Sequence, residues 1–275
     1  MKKSNSTYTI KEITPHDNYV ILIIDDKTYK ISTNAYLEDY YYPDKVLSEE
    51  ELNKIIEAES LYQVTSYVSK IISYKRYTYF ELKEKISRVY SLSEQEIYMV
   101  LSPYIQSGII NDKSYALEYA ETKIESYSKQ YILSKLKEKG IEDKYLFSQE
   151  MKDIFEREND GIDFQIKKLN QSKKNKPINE RKKYIYSYLV SKGYSREPVK
   201  RKIETFYSSL SSEEKEKERE NTSILLKKEL HKCYNLLVNK KNDTKTIKSK
   251  LITKLLSKGF SYDEIISTIE TEQLL

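Results

Sequence analysis

The chain has 275 residues, 33% of them charged and 38% hydrophobic, with 27 tyrosines, 6 phenylalanines and no tryptophan. That is more chain than one small core needs, and the aromatic content excludes a disordered polymer. The single cysteine, Cys233, excludes an internal disulfide framework. No apolar run approaches the roughly 18 residues of a membrane span, and MKKSNSTYTI lacks an apolar leader core. A soluble, cytoplasmic protein without membrane contact is expected. The net charge of +5 is unevenly spread. Residues 1–60 carry 7 Lys/Arg against 12 Asp/Glu, and residues 61–160 carry 15 against 16. Residues 161–207 carry 13 against 4, a balance of +9, and residues 208–275 carry 13 against 11. One basic segment can attract a polyanion better than the same charge dispersed, although such a run also serves as a solvated face.

The first forty residues read as β-structure. YVILIID (19–25) and KTYKIS (27–32) flank the acidic turn Asp25-Asp26 as a hairpin, and TYTIKEI (7–13) offers a third strand. Past Pro43 the pattern is helical. In LSEEELNKII (47–56), Ser48 and Glu51 form a capping box. LYQVTSYVSKIISY (61–74) places Leu61, Val64, Tyr67 or Val68, Ile71 and Ile72 on one face. In FELKEKISRVYSLSEQEIYMVL (80–101), Ser93 caps the second of two helices.

Four of the five glycines end amphipathic runs, in IQSG, KEKG, VSKG and LSKG. Gly108, Gly140, Gly193 and Gly259 are therefore placed just past helix ends, where a positive φ is needed. They also mark repeats. LVSKGYSREPVKRKIET (189–205) matches LLSKGFSYDEIISTIET (255–271), and LKEKGIEDKYLFSQEM (136–151) is an earlier copy. The fold class is mainly α: tandem three-helix repeats in an elongated, curved array behind a small N-terminal β-hairpin segment. The expected segments are 1–45 for the hairpin, 46–60 for a connecting helix, and 61–108, 109–160, 161–208 and 209–275 for four repeats. The polar stretch 209–223 is either a linker or the exposed start of a long helix.

Chemistry is sparse. The sequence has no GK[ST] phosphate loop, no GxGxxG and no GxSxG. His231 and Cys233 sit two residues apart, which points their side chains in different directions on a helix, and two ligands do not make a zinc site. No enzyme activity, metal or cofactor is expected. The positive signals are for binding. Lys173, Lys174, Lys176, Arg181, Lys182, Lys183, Lys200, Arg201 and Lys202, with Lys75 and Arg76 earlier, are candidate contacts to single- or double-stranded DNA. The tyrosines among them can stack on bases, but Tyr184 and Tyr188 share a face that suits a core. Each helix–Gly turn–helix also has the outline of a DNA-reading helix-turn-helix, though the same outline describes any helical hairpin.

Two stretches, KRYTYFELKEKI (75–86) and GIINDKSYALEYA (108–120), resemble the RecX family of regulatory proteins. The first carries Arg76 and then the Glu81-Leu82 pair. The second opens with Gly108, Ile109, Ile110, Asn111 and Asp112 and continues with Tyr115-Ala116. The resemblance implies a non-enzymatic modulator of the RecA recombinase, lying along the RecA–DNA filament as a monomer and limiting its growth in DNA repair and the SOS response. The alternatives are a DNA-binding protein acting alone and a scaffold with no nucleic-acid role. From the residues themselves, Gly108 ends one unit and Ile109 and Ile110 plug the seam. Asn111 or Asp112 caps the next helix, and Tyr115 and Ala116 begin its buried stripe. With Gly140, Gly193 and Gly259 they are joints of the array.

Overall fold

Alternating burial shapes the N-terminal sheet. In a computed structural model, which describes residues 7–238 and 244–274, β1 (Tyr8–Pro15), β2 (Tyr19–Ile24) and β3 (Lys27–Ser32) pair antiparallel. Val20, Leu22 and Ile24 on β2 and Tyr29 and Ile31 on β3 all point into the core. The turn between them is Asp25-Asp26, as expected. Asp25 takes φ +50. Its N–H donates to the Thr9 carbonyl at 2.9 Å, and its carboxylate accepts from the Thr9 N–H at 3.1 Å, which ties the turn to β1. After the short α1 (Thr33–Glu38), the two-residue β4 (Val46–Leu47) pairs with β1, giving the order β3-β2-β1-β4.

Helices follow. The capping box at Ser48 and Glu51 starts α2 (Glu49–Ile72). Leu52 and Ile55 of its first half belong to the sheet core, whereas Val64 and Val68 pack with α3 (Tyr79–Val89) and α4 (Glu94–Gln106). The expected division at 60/61 falls inside this continuous helix, which serves two cores. Next come α5 (Asp112–Lys123), α6 (Lys129–Glu138), α7 (Asp143–Leu146) and α8 (Gln149–Glu156). Then α9 (Glu158–Ser172), α10 (Ile178–Ser191) and α11 (Arg196–Ser208) enclose Ile166, Ile185, Leu189, Val199 and Ile203. The 160/161 division also falls inside a helix, α9. Finally α12 (Ser212–Val238), α13 (Thr244–Ser257) and α14 (Tyr262–Thr271) bury Leu226, Leu230, Cys233, Leu251, Leu255 and Ile265. The stretch 209–223 is mostly the start of α12 and not a linker.

By internal contacts the chain forms two units. One is residues 1–115 with 139–141, and the other is 116–138 with 142–275. Among the described residues, no helix is long and apolar enough to cross a membrane.

Candidate functional site

Residues 75–86 and 108–115 of the segments carrying the family resemblance meet in the first unit. Thr78 caps α3 and Glu81 closes its capping box. The Thr78 hydroxyl donates to the Lys139 carbonyl at 2.7 Å, and the Lys139 ammonium reaches the Glu81 carboxylate at 2.5 Å. Burial disfavours that ammonium, but Glu81 and Tyr115 outweigh it and raise the pKa of Lys139. Asn111 accepts from the Ser114 N–H at 2.9 Å and so caps α5, while Asp112 accepts from the Tyr79 N–H at 2.9 Å and serves α3 instead. Gly140 has φ +74, and a Cβ there would overlap Phe80. Ile110 and Ala116 are buried and Tyr115 is half-buried. Ile109 is 53% exposed, so it does not plug the seam.

The second unit repeats this arrangement. The Ser128 N–H donates to the Lys192 carbonyl at 3.1 Å, and the Ser128 hydroxyl accepts from the Tyr131 N–H at 3.1 Å. Glu158 accepts from the Lys129 N–H at 2.8 Å, as Asp112 does from Tyr79. Gly193, at φ +88, lies against Ser128, and Gly259, at φ +91, lies against Glu180 near the start of α10. In all three cases a Lys-Gly turn is docked on the N-terminal turn of an earlier helix. Gly108 has φ +77 but nothing near its Cβ position. The sequence showed the glycines; it did not single out Thr78, Ser128 and Glu158. They look like ordinary caps until the docked turn is seen.

The basic candidates divide by partner. Lys182 pairs with Glu204 at 3.0 Å, Lys202 with Asp163 at 2.6 Å and Lys176 with Glu180 at 2.5 Å. The Lys173 ammonium lies 4.8 Å from the centre of the Tyr184 ring, and Lys75 lies 4.5 Å from that of Tyr77. Arg76 is exposed and donates to the Ser114 hydroxyl at 3.1 Å. Lys174, Lys183, Lys200 and Arg201 are exposed. Arg181 corrects the expectation. It is completely buried, and its guanidinium is forked onto Glu218 of α12. The helical phase explains this, because Arg181 shares the inward face of α10 with Ile185 and Leu189. Tyr194 and Tyr207 are core residues, and burial raises both hydroxyl pKa values, that of Tyr207 to about 12. Tyr184 and Tyr188 are half-buried and stacked on each other, with ring centres 6.3 Å apart. Cys233 is a buried core residue, and His231 turns to Glu272 at 2.9 Å. No group of three or more His, Cys, Asp or Glu among the described residues could hold a metal ion.

No protein-family model matches the sequence. Similar curated proteins exist, however. A Lactococcus lactis subsp. cremoris protein named regulatory protein RecX is 29% identical over 252 residues, 90% of each chain. A Staphylococcus haemolyticus protein of the same name is 29% identical over 208 residues, 74% of this chain and 73% of its own. A Streptococcus agalactiae one is 27% identical over 234 residues, 78% and 83%. The crystal structure of a regulatory protein RecX superposes with a TM-score of 0.53 at 19% identity, covering 72% of this chain and 99% of its own. That likeness shows the fold.

Proposed function

We propose, on the premise that this chain is similar to the RecX regulatory proteins along nearly its whole length, that it is a non-enzymatic regulator of the RecA recombinase. It binds the RecA–DNA filament and limits filament growth. The observation that carries this is coverage: the similarity runs through 90% of both chains, so it is more than a shared helical hairpin. The group α9–α11, the third helical group, supplies the contact, with Lys183, Lys200 and Arg201 exposed in a segment of balance +9. The protein works as a monomer, which sedimentation without DNA checks.

The test is the single-strand-DNA-dependent ATPase of the cognate RecA, with the chain added well below one per RecA protomer. Inhibition is expected. The triple change Lys183→Glu, Lys200→Glu and Arg201→Glu should require a several-fold higher concentration for the same effect. Unchanged inhibition by the triple variant removes this surface from the contact. Arg181 is left out because reversing a buried, paired charge would unfold the repeat.

The same exposed cations favour a second reading, direct binding to naked DNA. It predicts a salt-steep association, with log K falling by about 0.9 per contacted phosphate against log salt on a duplex, and no effect on RecA.

A further inference from the structure

Arg181 is fully buried, yet its Nε has no hydrogen-bond partner. Nη1 donates to Asn170 Oδ1 at 2.8 Å and to Glu218 Oε1 at 3.1 Å, and Nη2 donates to the other Glu218 oxygen. The Tyr207 hydroxyl donates to the same Asn170 oxygen at 2.7 Å. A rigid guanidinium fork set on two oxygens fits a phosphodiester as well as a carboxylate.

The carboxylate comes from a segment with little else to hold it. The first turns of α12 read SEEKEKEREN, and the first buried residue of the helix is Thr222. Polar contacts tie these turns to the third helical group. Besides Glu218, Lys215 Nζ donates to the Ser208 carbonyl at 2.9 Å and Asn221 Nδ2 to the Lys174 carbonyl at 2.9 Å. A cleft of about 300 Å³ opens here, lined by Lys167, Lys174, Lys217, Asn170 and Phe206 among others, and by two carboxylates, Glu214 and Glu218.

We infer that displacement of Glu218, which forms part of the cleft wall, extends this cleft to Arg181 and makes a phosphodiester subsite for a nucleic-acid backbone, the Glu218 carboxylate holding the guanidinium in the free protein as an internal stand-in. Exchange of one anion for the other keeps Arg181 paired in both states, so no buried charge is left alone. Lys167 and Lys174 at the cleft draw the polyanion in, and the acidic turns of α12 swing away from it. The inference rests on the nucleic-acid contact proposed above.

The experiment is a titration of a labelled single-stranded oligonucleotide by fluorescence anisotropy against the full chain. Glu218→Gln should bind several-fold tighter than the natural chain, with a salt slope steeper by about 0.7, one more phosphate on a single strand. Equal or weaker binding by a folded Glu218→Gln variant overturns the inference. The double variant Arg181→Met, Glu218→Met should lose the gain; a gain that survives there comes from charge removal alone and also overturns it. Hydrogen exchange of the natural chain avoids any folding defect. The oligonucleotide should speed exchange over residues 212–221, and unchanged or slowed exchange counts against the subsite. If inorganic phosphate at equal phosphate concentration speeds it as much, the cleft takes a small anion and the nucleic-acid assignment fails. Recombinase is absent throughout, so this can fail while filament regulation stands, and the reverse.

Discussion

Gly108 and Gly140 share a left-handed backbone, at φ +77 and +74, but they differ in surroundings. Alanine at Gly108 meets open space and should cost only the backbone term, about 1–2 kcal/mol. Alanine at Gly140 meets Phe80 as well and should cost about 1–3 kcal/mol more, as overpacking does. Urea denaturation of the two variants should therefore order them clearly, and equal losses would mean the Phe80 contact yields without strain. Asp112→Ala should lose about 1 kcal/mol through the orphaned Tyr79 N–H. The glycines were legible from sequence because only glycine takes that backbone easily at a helix end. The division of labour between Asn111 and Asp112 was not, since two adjacent short polar residues look alike until the partner helix is placed. Arg181 was misjudged because a run of three cations looks uniform, whereas the helical period with Ile185 and Leu189 already turned the first of them inward.

Helix α2 shows what an element adds. Leu61 suggested a fresh start, but it is 54% exposed, and nothing in AES (58–60) breaks a helix. One helix therefore spans the sheet core and the next. Its N-terminus is held by Glu51, whose carboxylate accepts from the Ser48 N–H at 2.8 Å and pairs with Lys45 at 3.1 Å. The Ser48 N–H first, then Lys45, lowers its pKa from 4.5 to about 2. Because the folded value is depressed, this contribution is complete above pH 4.5 and disappears as the pH falls through about 2. Thermal melts followed by circular dichroism should show a loss of stability over that window that is smaller in Glu51→Gln; identical profiles would exclude Glu51 as a source. The strands β1–β3 were legible from alternation and the Asp-Asp turn. The pair Val46-Leu47 was not, because two residues carry no period and their pairing with Tyr8 and Thr9 is long-range.

At the scale of the molecule, the repeated Lys-Gly turns revealed helical groups with separate cores, and the N-terminal sheet stands ahead of them. The basic surface was legible as a charge balance, but which cations are exposed was not, because their partners Asp163, Glu204 and Glu218 arrive from other helices. The last group packs around Leu230, which is fully buried. Leu230→Ala should cost about 2–5 kcal/mol, with faster hydrogen exchange in α12–α14 and little change in α3 and α4; uniform acceleration would mean that the groups open together. The docked turns also set an order in time. The Thr78 hydroxyl meets a carbonyl 61 residues further along the chain. At ribosomal rates of about 5–20 residues per second, that partner is made about 3–12 s after the helix it completes. The hairpins begun by α3, α6 and α10 thus wait, unfinished, for their docked turns to leave the ribosome, and a nascent chain stalled between such a helix and its turn ends with that helix lacking its lysine–glycine partner.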